Sequence, residues 1–352
     1  MKTLLVAINA KFIHSNLAIR YLKAYSDKHI TADIETIEFT INNYTDEILA
    51  TIFEKQPDVI GFSCYIWNIE MVKKIVSLIK IVLPNVKIFL GGPEVSYNYE
   101  EVFASCETDF IISGEGEHSF TQLISSLQTA APKLSEIEGL SYRTDEVIIS
   151  NPRKTALDLS VLPFSYENFD GLENRIIYYE ASRGCPFSCQ YCLSSIEKGV
   201  RLAPLEKVCT ELQIFIDRKV KQVKFVDRTF NCNKKFAMGI ISFLINSDNG
   251  ITNFHFEVAA DLLDDEIMAL LATARNGLFQ LEIGVQSTNL NTLNAIQRKT
   301  NFEWIFYCVK KLKEKNNMHI HLDLIAGLPL EDLESFKKSL NDVHALEPHQ
   351  TR

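Results

Sequence analysis

Residues 183–192 read RGCPFSCQYC and place Cys185, Cys189 and Cys192 in one short stretch. Three thiols are the wrong set for a closed structural zinc site, which takes four ligands, commonly as two C-x2-C pairs or a Cys/His set. Three thiolates can instead hold three irons of a cubane iron–sulfur cluster and leave the fourth iron open to a substrate or cofactor. Two other readings stay open on the residues alone. A C-x2-C redox pair needs only two thiols and usually begins a helix in a thioredoxin-like unit. A zinc site could recruit a distant fourth ligand such as His255, His319 or His321.

The sequence around this stretch sets its context. From Ile176 onward, apolar β-branched runs alternate with amphipathic segments. IIYYEAS leads into the cysteines, and QVKFVDRTF, NFHFEVAA, LFQLEIGVQ and MHIHLDLIAGL follow as strands. Helices are expected from Pro204, over Lys234 to Asn246, and from Asp264, Asn289, Phe302 and Leu330. About six βα repeats predict a partial, six-fold parallel barrel of TIM type over residues 176–352. Chemistry in such barrels sits at the carboxyl ends of the strands, and the cysteines follow the first one.

The N-terminal 128 residues show the same alternation in an open form. TLLVAI, ADIETIEF, DVIGFSC, VKIFLGG and DFIISG read as strands, with helices beginning near Asn16, Thr45, Asn68, Asn98 and Glu117. That order predicts a Rossmann-like, doubly wound parallel sheet covered on both faces. Its ligand edge should lie at the carboxyl ends of the strands. Glycines at 61, 91, 92, 114 and 116 allow close backbone approach there and suit a large, flat or polyphosphate-like ligand. Tight βα turns alone would also call for them.

Residues 129–175 differ again. GLSYRTDEVIIS predicts a hairpin with its turn at Arg143 to Glu146, and the proline-containing run after it reads as a linker. The chain has 352 residues, 46% hydrophobic content and a formal net charge of −9, which fits a globular two-domain protein and argues against a basic nucleic-acid-binding surface. The first apolar run is broken by Asn9 and Lys11, too early for a signal peptide, and no segment reads as a membrane span. A soluble, cytoplasmic protein is expected. Cys64, Cys106, Cys209, Cys232 and Cys308 are scattered singly and read as small buried hydrophobes.

A C-x3-C-x2-C motif with an aromatic, Tyr191, before its third cysteine, on the loop after the first barrel strand, resembles the radical S-adenosylmethionine superfamily. The resemblance implies a [4Fe-4S] cluster on Cys185, Cys189 and Cys192, with S-adenosylmethionine as the outside ligand. Further matches lie downstream. VDRTF (226–230), with Asp227 and Arg228, falls where the family contacts the cofactor's amino group, and Glu257 lies on the third or fourth core strand. GVQS (284–287), Arg298 and DLIAGLP (323–329) are similar to the oxygen-independent coproporphyrinogen oxidase branch, which implies that Gln286, Arg298 and Asp323 help hold S-adenosylmethionine.

The N-terminal half, with GFS, GGPE and GEGE at its strand ends, resembles the cobalamin-binding domain of cobalamin-dependent radical enzymes. Carried over, the corrin would lie against Ser15, Asn16, Gly61, Ser63, Gly91, Gly92, Pro93, Gly114, Glu115, Gly116 and Glu117. The D-x-H-x-x-G motif of many cobalamin proteins is absent, since Phe12 stands two residues before His14. His14 is therefore open to two readings, a cobalt ligand or a hydrogen-bonding loop residue. Tyr65 and Trp67 either wall the corrin or belong to the core.

The resemblance implies a cobalamin-dependent radical enzyme that methylates an unactivated carbon. A cobalamin-dependent cyclase or rearrangement enzyme without methyl transfer is the alternative within that class, and a non-catalytic cobalamin and iron–sulfur redox sensor is the alternative outside it. Methylthiolation is disfavoured, because it calls for further cluster cysteines where the N-terminal half has only Cys64 and Cys106. The partners implied are a small-molecule or peptide substrate and an electron donor such as flavodoxin or ferredoxin, with no nucleic acid. Relatives of this type usually continue beyond the barrel, so a chain ending at ALEPHQTR is expected to be a short form or a fragment.

Overall fold

Lys2–Asn9 (β1) is buried along nearly its whole length, as a strand must be when helices cover both faces of its sheet. The computed structural model describes residues 1–144, 147–153, 156–196 and 199–352, and the chain divides into two units, Met1–Arg175 and Ile176–Arg352. In the first, β1 is followed by α1 (Leu17–His29), β2 (Asp33–Thr40), α2 (Thr45–Lys55), β3 (Val59–Ser63), α3 (Ile69–Val82), β4 (Lys87–Gly91), α4 (Tyr99–Ser105), β5 (Phe110–Ile112) and α5 (Glu117–Thr129). The five strands are parallel in the order β2-β1-β3-β4-β5. The direction of winding therefore reverses between β1 and β3, where open sheets bind their ligands.

Alternate side chains of each strand feed two cores. Leu4, Val6, Ile8, Ile60 and Phe62 pack with Ile48, Ile52, Val72, Ile75 and Ile79 of α2 and α3. Leu5, Ala7, Val59 and Phe89 pack on the other face with Ile19 of α1 and with Phe120, Leu123 and Ile124 of α5. The hairpin expected after α5 forms as β6 (Leu140–Arg143) and β7 (Ile148–Ser150) and joins the same sheet antiparallel to β5. Residues read as linker thus include two more strands of the first unit; Asp145 and Glu146, in the expected turn, lie outside the described residues.

The second unit begins with β8 (Ile177–Tyr179) and a short antiparallel pair, β9 (Ser182–Cys185) and β10 (Gly199–Leu202). Then follow α6 (Leu205–Asp217), β11 (Gln222–Phe225), α7 (Lys234–Asn246), β12 (Asn253–Val258), α8 (Asp265–Leu271), β13 (Phe279–Gln286), α9 (Leu290–Ala295), α10 (Phe302–Lys313), β14 (His319–Leu324), α11 (Leu333–His344) and β15 (Gln350–Thr351). Six strands form one parallel sheet in the order β8-β11-β12-β13-β14-β15. The sixth, β15, is two residues long and was not read from the sequence as a strand. The last helix starts at Leu333 rather than Leu330, because Asp332 caps it by accepting from the Ser335 N–H.

One face of this sheet is apolar and the other polar. Along β13, Phe279, Leu281, Ile283 and Val285 are buried, while Gln280, Glu282, Gly284 and Gln286 alternate with them. The polar series runs in register with Lys224 and His255, with Glu257 and His321, and with Asp323 on the neighbouring strands. Among the described residues, no helix is long and apolar enough to cross a membrane.

Candidate active site

The three cysteines are held at the tip of the β9/β10 hairpin. Cys185 is the last residue of β9, opposite Gly199. Gly184 precedes it with φ of 102°, and a Cβ there would lie 2.1 Å from the Gly199 carbonyl oxygen, so only glycine fits. The Gln190 N–H donates to the Ile296 carbonyl at 3.0 Å, and the Cys192 N–H closes a turn on the Cys189 carbonyl at 3.0 Å.

A cavity of about 180 Å³ opens beside this hairpin, at the carboxyl ends of the parallel strands. Of the barrel residues singled out from the sequence, Cys185, Cys189, Tyr191, Cys192, Arg228, Glu257, Gln286, Arg298 and Asp323 all line it. Glu257 lies on β12, which is the third strand of the parallel sheet. Arg298 ties the parts together. It donates to the Tyr191 hydroxyl at 3.1 Å and to the Gly284 carbonyl, and its Nη1 lies 3.7 Å from Cys189 Sγ. Burial pushes the Tyr191 phenol up to about 12, so Tyr191 stays neutral and accepts from Arg298.

Asp227 does not line this cavity. It is 1% exposed, and its carboxyl accepts from the Ala181 N–H at 3.0 Å and the Ser182 hydroxyl at 2.5 Å. Its reading as a cofactor contact is corrected to that of a positioning residue, which clasps the chain just before the cysteines. Burial pushes its carboxyl up to about 7, against the lowering effect of both hydrogen bonds.

Several lining residues were missed. Thr229 Oγ1 lies 3.6 Å from Cys185 Sγ, and Phe187, Ser195, Glu282 and Gly284 also face the cavity. The backbone geometry of Gln286 was missed too. It carries φ of 70° where β13 slips register against β14, and a Cβ on Gly284 would lie 2.2 Å from its Nε2.

The donor set fits the cluster and S-adenosylmethionine. Asp323 Oδ1 and Arg298 Nε are buried with no hydrogen-bond partner among the described residues, and polar atoms in that state call for a polar ligand. The zinc alternative calls for His255, His319 or His321 as a fourth ligand, whereas the residues lining the cavity with the three cysteines are Tyr191, Arg228, Glu257, Gln286, Arg298 and Asp323 among others.

At the first unit's carboxyl edge the outcome is mixed. Asn16 caps α1 by accepting from the Ile19 N–H at 3.1 Å, and its amide donates to Ser63 Oγ at 3.3 Å across the β1/β3 switch point. Ser15, Gly91, Gly92, Pro93, Gly114 and Glu115 also fall in or beside the loops leaving β1, β4 and β5. Gly92 has φ of 113° and packs against the Cys64 carbonyl, 2.5 Å from where a Cβ would be. Glu115 is engaged internally, accepting from the Leu157 N–H at 3.0 Å. The Tyr65 and Trp67 rings stack at 4.5 Å, and the Trp67 indole donates to the Ile8 carbonyl while its side chain stays 44% exposed.

Three residues assigned to the cofactor edge do something else. Gly61 is inside β3, where the Phe89 ring occupies the space a side chain would need. Gly116 packs against Leu22 of α1. Glu117 is buried in the first turn of α5, where its charge raises the Tyr25 phenol after burial has done so.

The B12 binding domain family model matches residues 3–124, and the Radical SAM superfamily model matches residues 179–343. The chain is 26% identical over 322 residues to an uncharacterized methyltransferase of Pyrococcus horikoshii, covering 88% of this chain and 69% of that protein. It is 26% identical over 310 residues to the cobalamin-dependent radical SAM methyltransferase TokK of Streptomyces tokunonensis, covering 82% of this chain but 45% of TokK. In fold it is similar to the cobalamin-dependent S-adenosylmethionine radical enzyme OxsB solved with aqua-cobalamin and S-adenosylmethionine, with a TM-score of 0.80 at 20% identity, covering 97% of this chain and 51% of OxsB. The chain thus spans about half the length of TokK and of OxsB.

Proposed function

We propose that this chain, which belongs to the radical S-adenosylmethionine proteins that carry an N-terminal B12-binding domain, catalyses methylation of an unactivated carbon. The observation that carries the reading is the meeting in one cavity of three thiols with Arg298, Gln286 and Asp323. When bound, the cluster and S-adenosylmethionine supply one-electron cleavage of a carbon–sulfur bond, and cobalamin supplies a methyl group.

The chain's own residues bind and orient. Gly184 lets β9 and β10 close so that Cys185 enters the cavity, and Asp227 clasps the backbone ahead of it. Arg298 lies by Cys189 while its other nitrogen holds the Gly284 carbonyl, which links the cluster side of the cavity to β13. The buried, unpartnered Asp323 Oδ1 and Arg298 Nε offer hydrogen-bonding groups to S-adenosylmethionine. Phe187 and Val258 give the cavity apolar wall that helps exclude water. Asn16, Ser63 and Gly92 shape the first unit's edge for the corrin.

The test is anaerobic reconstitution with iron and sulfide, followed by dithionite and S-adenosylmethionine with and without cobalamin. The reading expects 5′-deoxyadenosine, S-adenosylhomocysteine and corrin retained through gel filtration. Retained corrin without cleavage, with Cys185→Ala indistinguishable from the natural chain, would replace it with a redox sensor. Cleavage without S-adenosylhomocysteine would point to chemistry without methyl transfer. An electron donor such as flavodoxin or ferredoxin is expected to replace dithionite.

A further inference from the structure

The polar face of the barrel runs from the cavity wall down the sheet, and the proposed chemistry leaves most of it unused. Its centre is Glu282 on β13. Glu282 Oε2 receives Lys224 Nζ from β11 at 2.7 Å and lies 3.0 Å from His255 Nε2 of β12, while Oε1 receives Arg352 after β15 at 3.0 Å. Lys224 and Arg352 donate to this carboxyl and, with the His255 ring beside it, hold it in its charged form. Asp323 of β14 sits one step higher, paired with Gly284 in the strand register, and the charge that acts on it most strongly is that of Glu282. Asp323 Oδ1 has no partner among the described residues and faces the cavity.

Two carboxyls on the same polar face of adjacent strands, both lining one cavity, cannot both ionise cheaply. The donor contacts decide which one does. Glu282 has Lys224, His255 and Arg352, whereas Asp323 has Glu282 beside it and Glu257 across the sheet, with only the half-exposed Arg352 favouring its charge. Tyr178 on β8 and His321 on β14 also face the pair, both neutral at neutral pH because burial disfavours their charged forms, and Arg228 and Arg298 line the same cavity.

We propose that Glu282 and Asp323 form a proton-sharing carboxyl pair in which Glu282 is the anion and Asp323 the neutral acid, so that Asp323 meets S-adenosylmethionine as a hydrogen-bond donor. Glu282 is then a positioning residue that acts through Asp323. A neutral acid can donate to a hydroxyl or carboxylate oxygen of the ligand, which an aspartate anion cannot do. Burial first, and the Glu282 charge second, push the Asp323 carboxyl up to about 7, so S-adenosylmethionine should bind most tightly below neutral pH and less tightly above it. This rests on the reading of the cavity as the S-adenosylmethionine site, and the test separates the two.

The experiment is a pH titration of the reconstituted protein by infrared difference spectroscopy, with S-adenosylmethionine binding measured by equilibrium dialysis on the same samples. A protonated-carboxyl band that titrates near neutral pH and vanishes in Asp323→Asn is expected. In Glu282→Gln its midpoint should fall by at least about one pH unit. Asp323→Asn, which keeps a donor and an acceptor, should bind S-adenosylmethionine within a few-fold of the natural protein, with the pH dependence removed, while Asp323→Ala should lose at least about tenfold. A spectrum in which no band depends on Asp323, or a midpoint unmoved in Glu282→Gln, overturns the pair. So does Asp323→Asn binding as poorly as Asp323→Ala. If Glu282→Gln does not fold, the natural protein and Asp323→Asn still decide the question through the band. If the natural protein shows the band yet binds no S-adenosylmethionine at any pH, the carboxyl pair stands and the assignment of the cavity falls.

Discussion

Asp227 yields a prediction whose sign runs against intuition: replacing this buried, doubly hydrogen-bonded carboxyl with asparagine should stabilise the barrel at alkaline pH. The folded-state value of about 7 stands about three units above the ordinary ~3.9 of an aspartate, at ~1.36 kcal/mol per unit. Because the folded value is raised, the stability is fully present below about pH 4 and is lost as pH rises towards 7, about 4 kcal/mol in all. Asparagine never ionises. Its Oδ1 can accept from the Ala181 N–H, and its Nδ2 can donate to a Ser182 hydroxyl that has turned to accept. Asp227→Asn should therefore match the natural chain below about pH 4, exceed it by about 1.5 kcal/mol at pH 5 and by about 4 kcal/mol at pH 8. Asp227→Ala strands both donors and should lose about 1–3 kcal/mol for each at acidic pH, where the natural carboxyl is neutral. The chain has two tryptophans, Trp67 in the first unit and Trp304 in the second, so urea unfolding followed by fluorescence in a Trp67→Phe background reports the barrel alone. A difference between Asp227→Asn and its parent that stays flat from pH 5 to 8 would refute the argument.

Gly284→Ala should disturb the cavity from beneath, since its Cβ would lie 2.2 Å from Gln286 Nε2; the expected cost is about 1–3 kcal/mol, with weaker S-adenosylmethionine binding by dialysis, and unchanged binding would show that Gln286 moves freely. Arg298→Lys replaces a planar group that reaches Tyr191 and Gly284 at once beside Cys189; S-adenosylmethionine affinity should fall roughly tenfold while iron and sulfide content is kept, and loss of the cluster instead would move Arg298 into the group that assembles it. Gly92→Ala, at φ of 113° and 2.5 Å from the Cys64 carbonyl, should reduce corrin retention in gel filtration. Gly61→Ala should instead lower the urea midpoint through Phe89 and spare corrin affinity in the folded protein; a specific loss of corrin would return Gly61 to the cofactor edge.

Much of this architecture is legible because long apolar runs and helix starts leave local signals. KTLLVAIN can only be a strand buried on both faces, and Asn16 marks the start of α1 because its side chain caps that helix. The cysteine hairpin is legible in its chemistry but not in its shape. Three thiols name the cluster, whereas the pairing of Cys185 with Gly199 depends on a contact across fourteen residues. β15 left almost no trace, since two residues at a sheet edge carry no period. Gly61 and Glu117 misled because glycines and acids near strand ends suggest a ligand edge, and only tertiary contact reveals that Phe89 fills the one space and α1 covers the other.

The two aspartates that close a barrel strand show where a readable signal was passed over. Asp227 lies just beyond β11 and Asp323 near the end of β14, and both are pushed up to about 7 by burial, yet one is tied to the chain before the cysteines and the other looks into the cavity. Strand side chains alternate with period two. Counting from Val223 and Phe225, which are fully buried on the apolar face, Asp227 keeps their phase, while Arg228 keeps that of Lys224 and enters the cavity. Asp323 keeps the phase of His319 and His321, which belongs to the polar face. The same count over QLEIGVQ places Glu282 and Gln286 on that face, so the histidines that suggested a distant zinc ligand instead mark a polar column beneath the cavity. Strand phase, applied through the end of each strand, separates the residue that braces the cysteine hairpin from the one that meets the ligand.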